Sequence, residues 1–281
     1  MTRVALLQMT SGIDPARNAG TIAAAVAEAA RGGAAMLFTP EMSGLIDRDR
    51  ARAAAHIVAE DADPVLAAVR EAAAKAGIWV ALGSLAVRRE GADDGAGRYA
   101  NRSFVIDPSG EIRGRYDKIH MFDVDLATGE SWRESNAYAP GEGLGVVEDT
   151  PVGRLGLAIC YDIRFPALFE ELGRRRCDAI AIPAAFTVPT GKAHWHLLQR
   201  ARAVEASAFV IAAAQVGRHE DGRETYGHSL AIDPWGEVLL DMGGADDGGA
   251  AGVGFVELDP ARIADVRKQL PSLANRRAIP R

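Results

Sequence analysis

Two cysteines in 281 residues leave no material for the disulfide framework on which small secreted domains depend. Long apolar runs are missing as well. The N-terminal one, residues 4–9, is too short for a membrane span or for the apolar region of a secretory signal. There is no basic block: 38 acidic and 32 basic residues are spread along the chain and leave a formal net charge of −6, which argues against a nucleic-acid partner. Together these absences point to a cytoplasmic protein with no membrane partner. What remains is ordinary globular material, 48% hydrophobic and 25% charged, long enough to bury a sizeable core as one large domain or two small ones.

Short apolar, β-rich runs recur at residues 4–9, 35–39, 78–87, 103–106, 155–160, 179–183, 209–215 and 228–232. Between some of them lie helix-like stretches, at 16–31 and 50–76, rich in alanine with charges on one face. The first is opened by Asp14-Pro15, a cap followed by a first-turn proline. This is an α/β pattern. Two segments, Val105-Ile106-Asp107-Pro108-Ser109-Gly110-Glu111-Ile112 and Ala231-Ile232-Asp233-Pro234-Trp235-Gly236-Glu237-Val238, each read as a hairpin in which Asp-Pro starts the turn and glycine supplies positive φ. Hairpins among helix-alternating strands predict mixed sheets, and their recurrence predicts two similar halves. Residues 90–97 and 241–252, rich in Gly, Ala and Asp, read as loop tips. The end of the chain, about 270–281, either docks on a partner subunit or frays.

The strongest local feature is an apolar strand running straight into Cys160-Tyr161-Asp162-Ile163-Arg164-Phe165-Pro166. A cysteine on a turn between strand and helix has backbone N–H groups and a helix dipole nearby, which suits a nucleophile. The plainer alternative is the last buried residue of a strand. Cys177, before another apolar strand and without such a turn, reads as structural. A thiol with an ordinary pKa is little ionised at neutral pH and needs a base or a cationic neighbour. Other strand ends offer both: Phe38-Thr39-Pro40-Glu41 leads into a carboxylate, and Tyr116-Asp117-Lys118-Ile119-His120 sets a lysine among aromatic and apolar residues. Singly, each reads equally as a surface charge.

Glu41, Lys118 and Cys160 at successive strand ends resemble the catalytic set of the nitrilase (carbon-nitrogen hydrolase) superfamily. The resemblance runs along nearly the whole chain, through Pro183-Ala184-Ala185-Phe186-Thr187, Gly191-Lys192-Ala193-His194-Trp195-His196, Arg200-Ala201-Arg202-Ala203-Val204-Glu205, Tyr226-Gly227-His228-Ser229 and Asp233-Pro234-Trp235-Gly236. It implies one α/β domain over 1–281, a four-layer α-β-β-α sandwich with two mixed sheets. It also implies pairing of two sandwiches into a homodimer or higher homo-oligomer, and neither metal nor cofactor. It carries over a fourth residue, Glu134, expected beside Lys118 to hold the ammonium in place. Ala212-Ala213-Ala214-Gln215-Val216-Gly217-Arg218-His219 and Asn275-Arg276-Arg277 look closer to the deaminated glutathione amidase group than to the ω-amidase group.

The expected reaction is hydrolysis of a terminal amide of a small 2-oxo acid or peptide-like compound, of the deaminated glutathione type, to carboxylate and ammonia through a thioester on Cys160. Glu41 serves as acid and base in turn, and Lys118 with the amide after Cys160 holds the oxyanion. Tyr161, Arg164, Phe186 and Thr187 are expected to bind substrate, with Arg164, Arg218 or Arg223 taking its carboxylate. Four other readings share the triad: an ω-amidase acting on 2-oxoglutaramate or 2-oxosuccinamate, hydrolysis of N-carbamoyl amides, hydrolysis of nitriles, and acyl transfer to an amine instead of water. A Cys-His-Asp hydrolase using His120, His194, His196, His219 or His228 as base, and a silent scaffold subunit, complete the set. His194 and His196 do not read as a zinc pair, because positions i and i+2 on a helix diverge, unlike i and i+4. Trp195 reads as packing the helix on a sheet, and Arg202 with Glu205 as a helical ion pair.

Overall fold

The computed structural model describes residues 1–89, 99–127, 129 and 131–278; the loop expected at 90–97 and the last three residues lie outside them. In chain order the strands are β1 (Thr2–Gln8), β2 (Met36–Phe38), β3 (Trp79–Arg88), β4 (Tyr99–Ile106), β5 (Ile112–Asp117), β6 (Asp123–Asp125), β7 (Ser131–Arg133), β8 (Gly145–Thr150), β9 (Gly153–Leu157), β10 (Ala179–Ala181), β11 (Phe209–Ala212), β12 (Val216–Arg218), β13 (Glu224–Tyr226), β14 (Leu230–Ile232), β15 (Val238–Asp241) and β16 (Gly252–Leu258). The α-helices are α1 (Pro15–Arg31), α2 (Arg50–Ala54), α3 (Pro64–Ala76), α4 (Pro166–Arg174), α5 (Val188–Ala206), α6 (Pro260–Gln269) and α7 (Ser272–Asn275).

Two six-stranded sheets carry the fold, ordered β16-β1-β2-β3-β4-β5 and β15-β14-β11-β10-β9-β8. Each has three parallel strands (β1, β2, β3 and β9, β10, β11) with an antiparallel strand on one side and an antiparallel pair on the other. The two expected halves are therefore real repeats of one topology. Their last connections are the two hairpins read from sequence. Asp107 N bonds to Glu111 O and Asp233 N to Glu237 O, both at 2.9 Å, and Gly110 and Gly236 have φ of 82° and 88°.

Strand alternation sorts the residues of the first sheet. Ala5, Leu7, Leu37, Val80 and Leu82 pack outward against Ile22 and Val26 of α1 and Val65 and Val69 of α3. Val4, Leu6, Met36 and Phe38 point inward and share a core with Leu155, Leu157, Ala179 and Ala181 of the second sheet. Phe169 of α4 and Trp195 of α5 close that core on the far side. The layers are thus α-β-β-α.

Asp14 caps α1 by accepting from the Ala16 and Arg17 amides. The stretch 50–76 is not one helix: it breaks after α2 and restarts at Asp63-Pro64, where the Asp63 carboxylate accepts from the Val65 and Leu66 amides. Alanine-rich composition runs through the break, whereas the same Asp-Pro signal that opens α1 marks it. Near the end of the chain Arg276 donates to the carbonyls of Glu170 and Glu205, at 2.8 and 3.0 Å, so this segment folds back on the middle of α4 and the last turn of α5.

Gly83 sits where β3 passes beneath the loop that leaves β2. A Cβ there would overlap the carbonyl oxygens of Thr39 and Pro40, and no flexible side chain is available to yield. Gly83→Ala is expected to cost about 1–3 kcal/mol in urea unfolding, as overpacked sites do, and to lower turnover more than stability, because the displaced loop carries Glu41.

Candidate active site

The site assembles at the C-terminal ends of the parallel strands, where open α/β sheets hold their ligands. Glu41 lies three residues past β2, on a loop tied to β3 by Thr39 N to Ala81 O at 3.0 Å and Ser43 N to Ser84 O at 3.0 Å. Lys118 follows β5, and its amide extends the ladder to Asn101 O at 2.9 Å. Cys160 comes three residues after the end of β9 and opens a 3-10 turn, Cys160–Arg164. Its φ is 46°, a left-handed conformation that a non-glycine residue holds only when its surroundings force it.

The force is visible. Cys160 N donates to Pro183 O at 2.9 Å. Asp162, fully buried, accepts from the Ile159 amide at 2.9 Å, the Tyr116 hydroxyl at 2.7 Å and the His120 amide at 3.0 Å. Asp162 therefore fastens the Cys160 turn of one sheet to the Lys118 strand of the other. His120 also reaches Asp162 through Nδ1, at 2.7 Å, and its ring stacks on Phe165.

Lys118 is 2% exposed and Glu41 4%, and so deep a charge requires partners. Lys118 Nζ reaches Glu41 Oε1 at 2.8 Å and both Glu134 oxygens at 3.0 and 2.9 Å. Asn101 Nδ2 bridges the two carboxylates, at 3.0 Å from Glu41 and 3.1 Å from Glu134. Glu41 Oε2 accepts from the Ala185 amide at 2.9 Å, and Glu134 Oε2 from the Phe122 amide at 2.7 Å. Cys160 lines the same cavity as Glu41 and Lys118.

These neighbours set the charges. Burial opposes ionisation of Glu41, but the Lys118 ammonium outweighs it and holds the carboxyl below the ordinary glutamate range. Burial likewise opposes the charge on Lys118, and Glu134 and Glu41 override it, raising that amine well above its ordinary value. Burial and the Glu41 carboxylate push the Cys160 thiol well up. At neutral pH the site therefore holds a thiol beside a carboxylate that is locked to an ammonium.

A cavity of about 830 Å3 opens over this cluster, lined by Glu41, Lys118, Cys160, Tyr161, Phe186 and Thr187 among others. Glu134 lines it too. Arg164, expected among the substrate contacts, is not part of that wall. Its guanidinium lies 5.3 Å from the Phe186 ring centroid and 3.4 Å from His194 Nδ1. Arg218 is exposed on β12, whereas Arg223 lines the cavity. The sequence reading missed Asn101, whose only signal was an amide in a buried strand, and Asp162, which looked like a polar turn residue.

Of the other histidines, His219 bonds to Ser11 O and Thr225 Oγ1, and His196 and His228 both bond to Asp241. Among the described residues no hydrogen bond joins a histidine to Cys160. His194 and His196 diverge as their spacing predicts. Trp195 is buried, with Nε1 donating to His228 O at 2.8 Å, and Arg202 pairs with Glu205 at 2.7 Å. No helix among the described residues is long and apolar enough to cross a membrane.

The sequence profile of the carbon-nitrogen hydrolase family matches residues 3–268. The chain belongs to that family. It is 39% identical over 278 residues to a deaminated glutathione amidase of Yersinia enterocolitica, covering 98% of this chain and 93% of that one. With the Homo sapiens deaminated glutathione amidase it shares 36% over 274 residues, 98% and 82% of the two chains. In three dimensions it superposes on the Caenorhabditis elegans NitFhit protein with a TM-score of 0.86 at 34% identity, covering 98% of this chain and 65% of that one. Saccharomyces cerevisiae Nit3, a member of branch 10 of the nitrilase superfamily, gives 0.82 at 26%, covering 96% and 94%. A mutant amidase from Nesterenkonia sp. AN1, in which acrylamide has added to the active-site cysteine, gives 0.76 at 25%, covering 96% and 98%.

Removing the ammonium tests the electrostatics apart from turnover. Lys118→Met would leave Glu41 and Glu134 facing one another in a buried site, at a cost of about 3–5 kcal/mol at neutral pH. Two adjacent carboxylates raise each other's pKa above the unfolded value, so the folded state binds the extra proton more tightly. The loss should therefore shrink as pH falls from 7 to 5, at higher pH than the range in which a surface ion pair loses its worth, as read by chemical unfolding across that range.

Proposed function

We propose that this chain is an amidase of the deaminated glutathione type, working through a cysteine thioester. The observation that carries the reading is that one buried carboxylate, Glu41, is locked to the Lys118 ammonium at 2.8 Å and shares a cavity wall with Cys160. Cys160 Sγ attacks the amide carbonyl as its proton passes to Glu41, and the new oxyanion is held by Lys118 and by the Tyr161 amide at the open start of the 3-10 turn. Glu41 returns that proton to the departing nitrogen as the C–N bond breaks. It next takes a proton from water, which attacks the thioester, and hands it to the sulfur as the acid leaves. Glu134, Asn101 and Asp162 touch no reacting atom and act by positioning.

The substrate reading is supported by the relatives named above, whose similarity spans nearly the whole chain. Deaminated glutathione carries only secondary amides, so its departing nitrogen belongs to a peptide amine. On a terminal primary amide such as 2-oxoglutaramate the same steps release ammonia. Both products should be assayed.

Cys160→Ala is expected to abolish turnover with the fold intact, and Glu41→Gln and Lys118→Ala to lose at least about 10²–10³-fold each. In the wild type kcat/KM should stay level through neutral pH, with the acid limb below the ordinary glutamate range, since free Glu41 is the base. An inflection near pH 6.5 would instead mark a histidine. Turnover that ignores Cys160 would sink the mechanism, and preference for 2-oxoglutaramate would move the chain to the ω-amidase reading.

We further propose that two copies pair through α5, which exposes Leu197 and Val204, and the β14–β15 hairpin, which exposes Trp235 and Val238 and is tied to α5 by Arg200 Nε to Gly236 O at 2.7 Å, since exposed apolar side chains mark interfaces. Sedimentation should give a dimer that Leu197→Glu weakens, and a monomer at micromolar concentration would exclude it.

A further inference from the structure

The cavity is far larger than a primary amide needs, and its wall holds two cations that the chemistry above does not use. Arg223 lies with its guanidinium carbon 4.7 Å from the Trp132 ring centroid, and Arg48 with its own 5.2 Å from the same point. All three residues line the cavity. Two guanidinium groups on one indole repel each other unless an anion lies between or beside them.

Two other cations of the wall have carboxylate partners. Lys118 is held by Glu41 and Glu134, and Arg133 by Asp125 at 2.8 Å. Arg50, also without a carboxylate partner among the described residues, lies at an exposed position and reaches the Arg133 carbonyl at 3.4 Å. Arg223 has a side chain 19% exposed, and its Nε is buried with no hydrogen-bond partner among the described residues. Its nearest carboxylate, Asp221, stands at 3.6 Å and is itself left with a buried oxygen unbonded. Among the described residues Arg48 makes no hydrogen bond to a carboxylate. Burying a guanidinium with donors unmade is costly, and a planar fork of N–H groups is matched by a carboxylate.

We propose that Arg223 and Arg48, gathered on Trp132, form an anion-binding subsite that takes a carboxylate of the substrate, so that the cavity selects amides with an acidic terminus. This rests on the amidase reading above and deepens it. The carboxylate belongs either to the acyl part or to the departing amine, and paired substrates separate the two. Glutaramate against pentanamide varies the acyl end, and pentanoylglycine against pentanoylglycinamide varies the amine end.

In the wild type the acidic member of at least one pair should be favoured, and in Arg223→Gln that ratio of kcat/KM should fall about 10²-fold, mostly through KM. Arg48→Gln, at an exposed position, should move the same ratio in the same direction, and it serves if Arg223→Gln does not fold. An unchanged ratio in both pairs, or equal losses on acidic and neutral members, would overturn the subsite and leave Arg223 as a structural partner of Asp221. Calorimetric titration of Cys160→Ala with glutarate, with and without Arg223→Gln, reads the subsite without turnover. Binding that the second substitution abolishes supports it even if no amide is hydrolysed, and binding that is absent or indifferent to Arg223 defeats it while the amidase reading stands or falls on Cys160.

Discussion

Everything at this site depends on one buried ammonium held between two carboxylates. Lys118 is stable at 2% exposure only because Glu41 and Glu134 flank it within 3.0 Å, and the Lys118 ammonium in turn keeps the buried Glu41 carboxyl ionised. The cluster draws its members from the ends of β2 and β5, from β4 and from the turn after β7. Its cost fixes the relative positions of these segments. Glu41 then extends the constraint to the other sheet, since its second oxygen takes the Ala185 amide at 2.9 Å. The carboxylate is the joint between the sheets as well as the proposed base.

The repeated topology explains why that joint exists. In each half the middle parallel strand runs into a proline, Thr39-Pro40-Glu41 after β2 and Ile182-Pro183-Ala184-Ala185 after β10. One copy presents the carboxylate. The other presents the amide that binds this carboxylate and, through Pro183 O, the acceptor for Cys160 N. Two equivalent loops have thus diverged into complementary parts. The cysteine comes from the strand next to β10, and its left-handed turn is secured by Asp162, which reaches back to Tyr116, two residues before Lys118.

Much of this was legible in the sequence, for a physical reason. Glu41, Lys118 and Cys160 each follow an apolar strand directly, and a polar residue in that place is delivered to the end of a buried sheet. The Asp-Pro and Asp-Pro-x-Gly signals gave the start of α1 and both hairpins because each acts within four or five residues. What was not legible depends on distant partners. Asn101 is one amide in a strand, and only the fold sets it between two carboxylates. Arg164 was favoured for its closeness to Cys160 in sequence, yet the 3-10 turn directs it toward His194, while Arg223, far along the chain, lines the cavity. The family resemblance supplied Glu134, which local pattern would have left as a loop acid.

The charge state of the cluster constrains how the proposed reaction can run. Burial and the adjacent carboxylate both disfavour a resting thiolate at Cys160, so in the proposed reaction the proton leaves as sulfur attacks. Lys118 holds its own proton too firmly to exchange it and offers a fixed positive charge. Of the three groups only Glu41 can cycle a proton. As it takes the thiol proton its grip on Lys118 weakens, which frees the ammonium toward the oxyanion forming at that moment. Glu134 keeps Lys118 anchored meanwhile, so the charge released by one carboxylate is turned toward the transition state and not toward solvent. A single carboxylate could not serve as both anchor and base, and the second glutamate is what lets the first change its protonation.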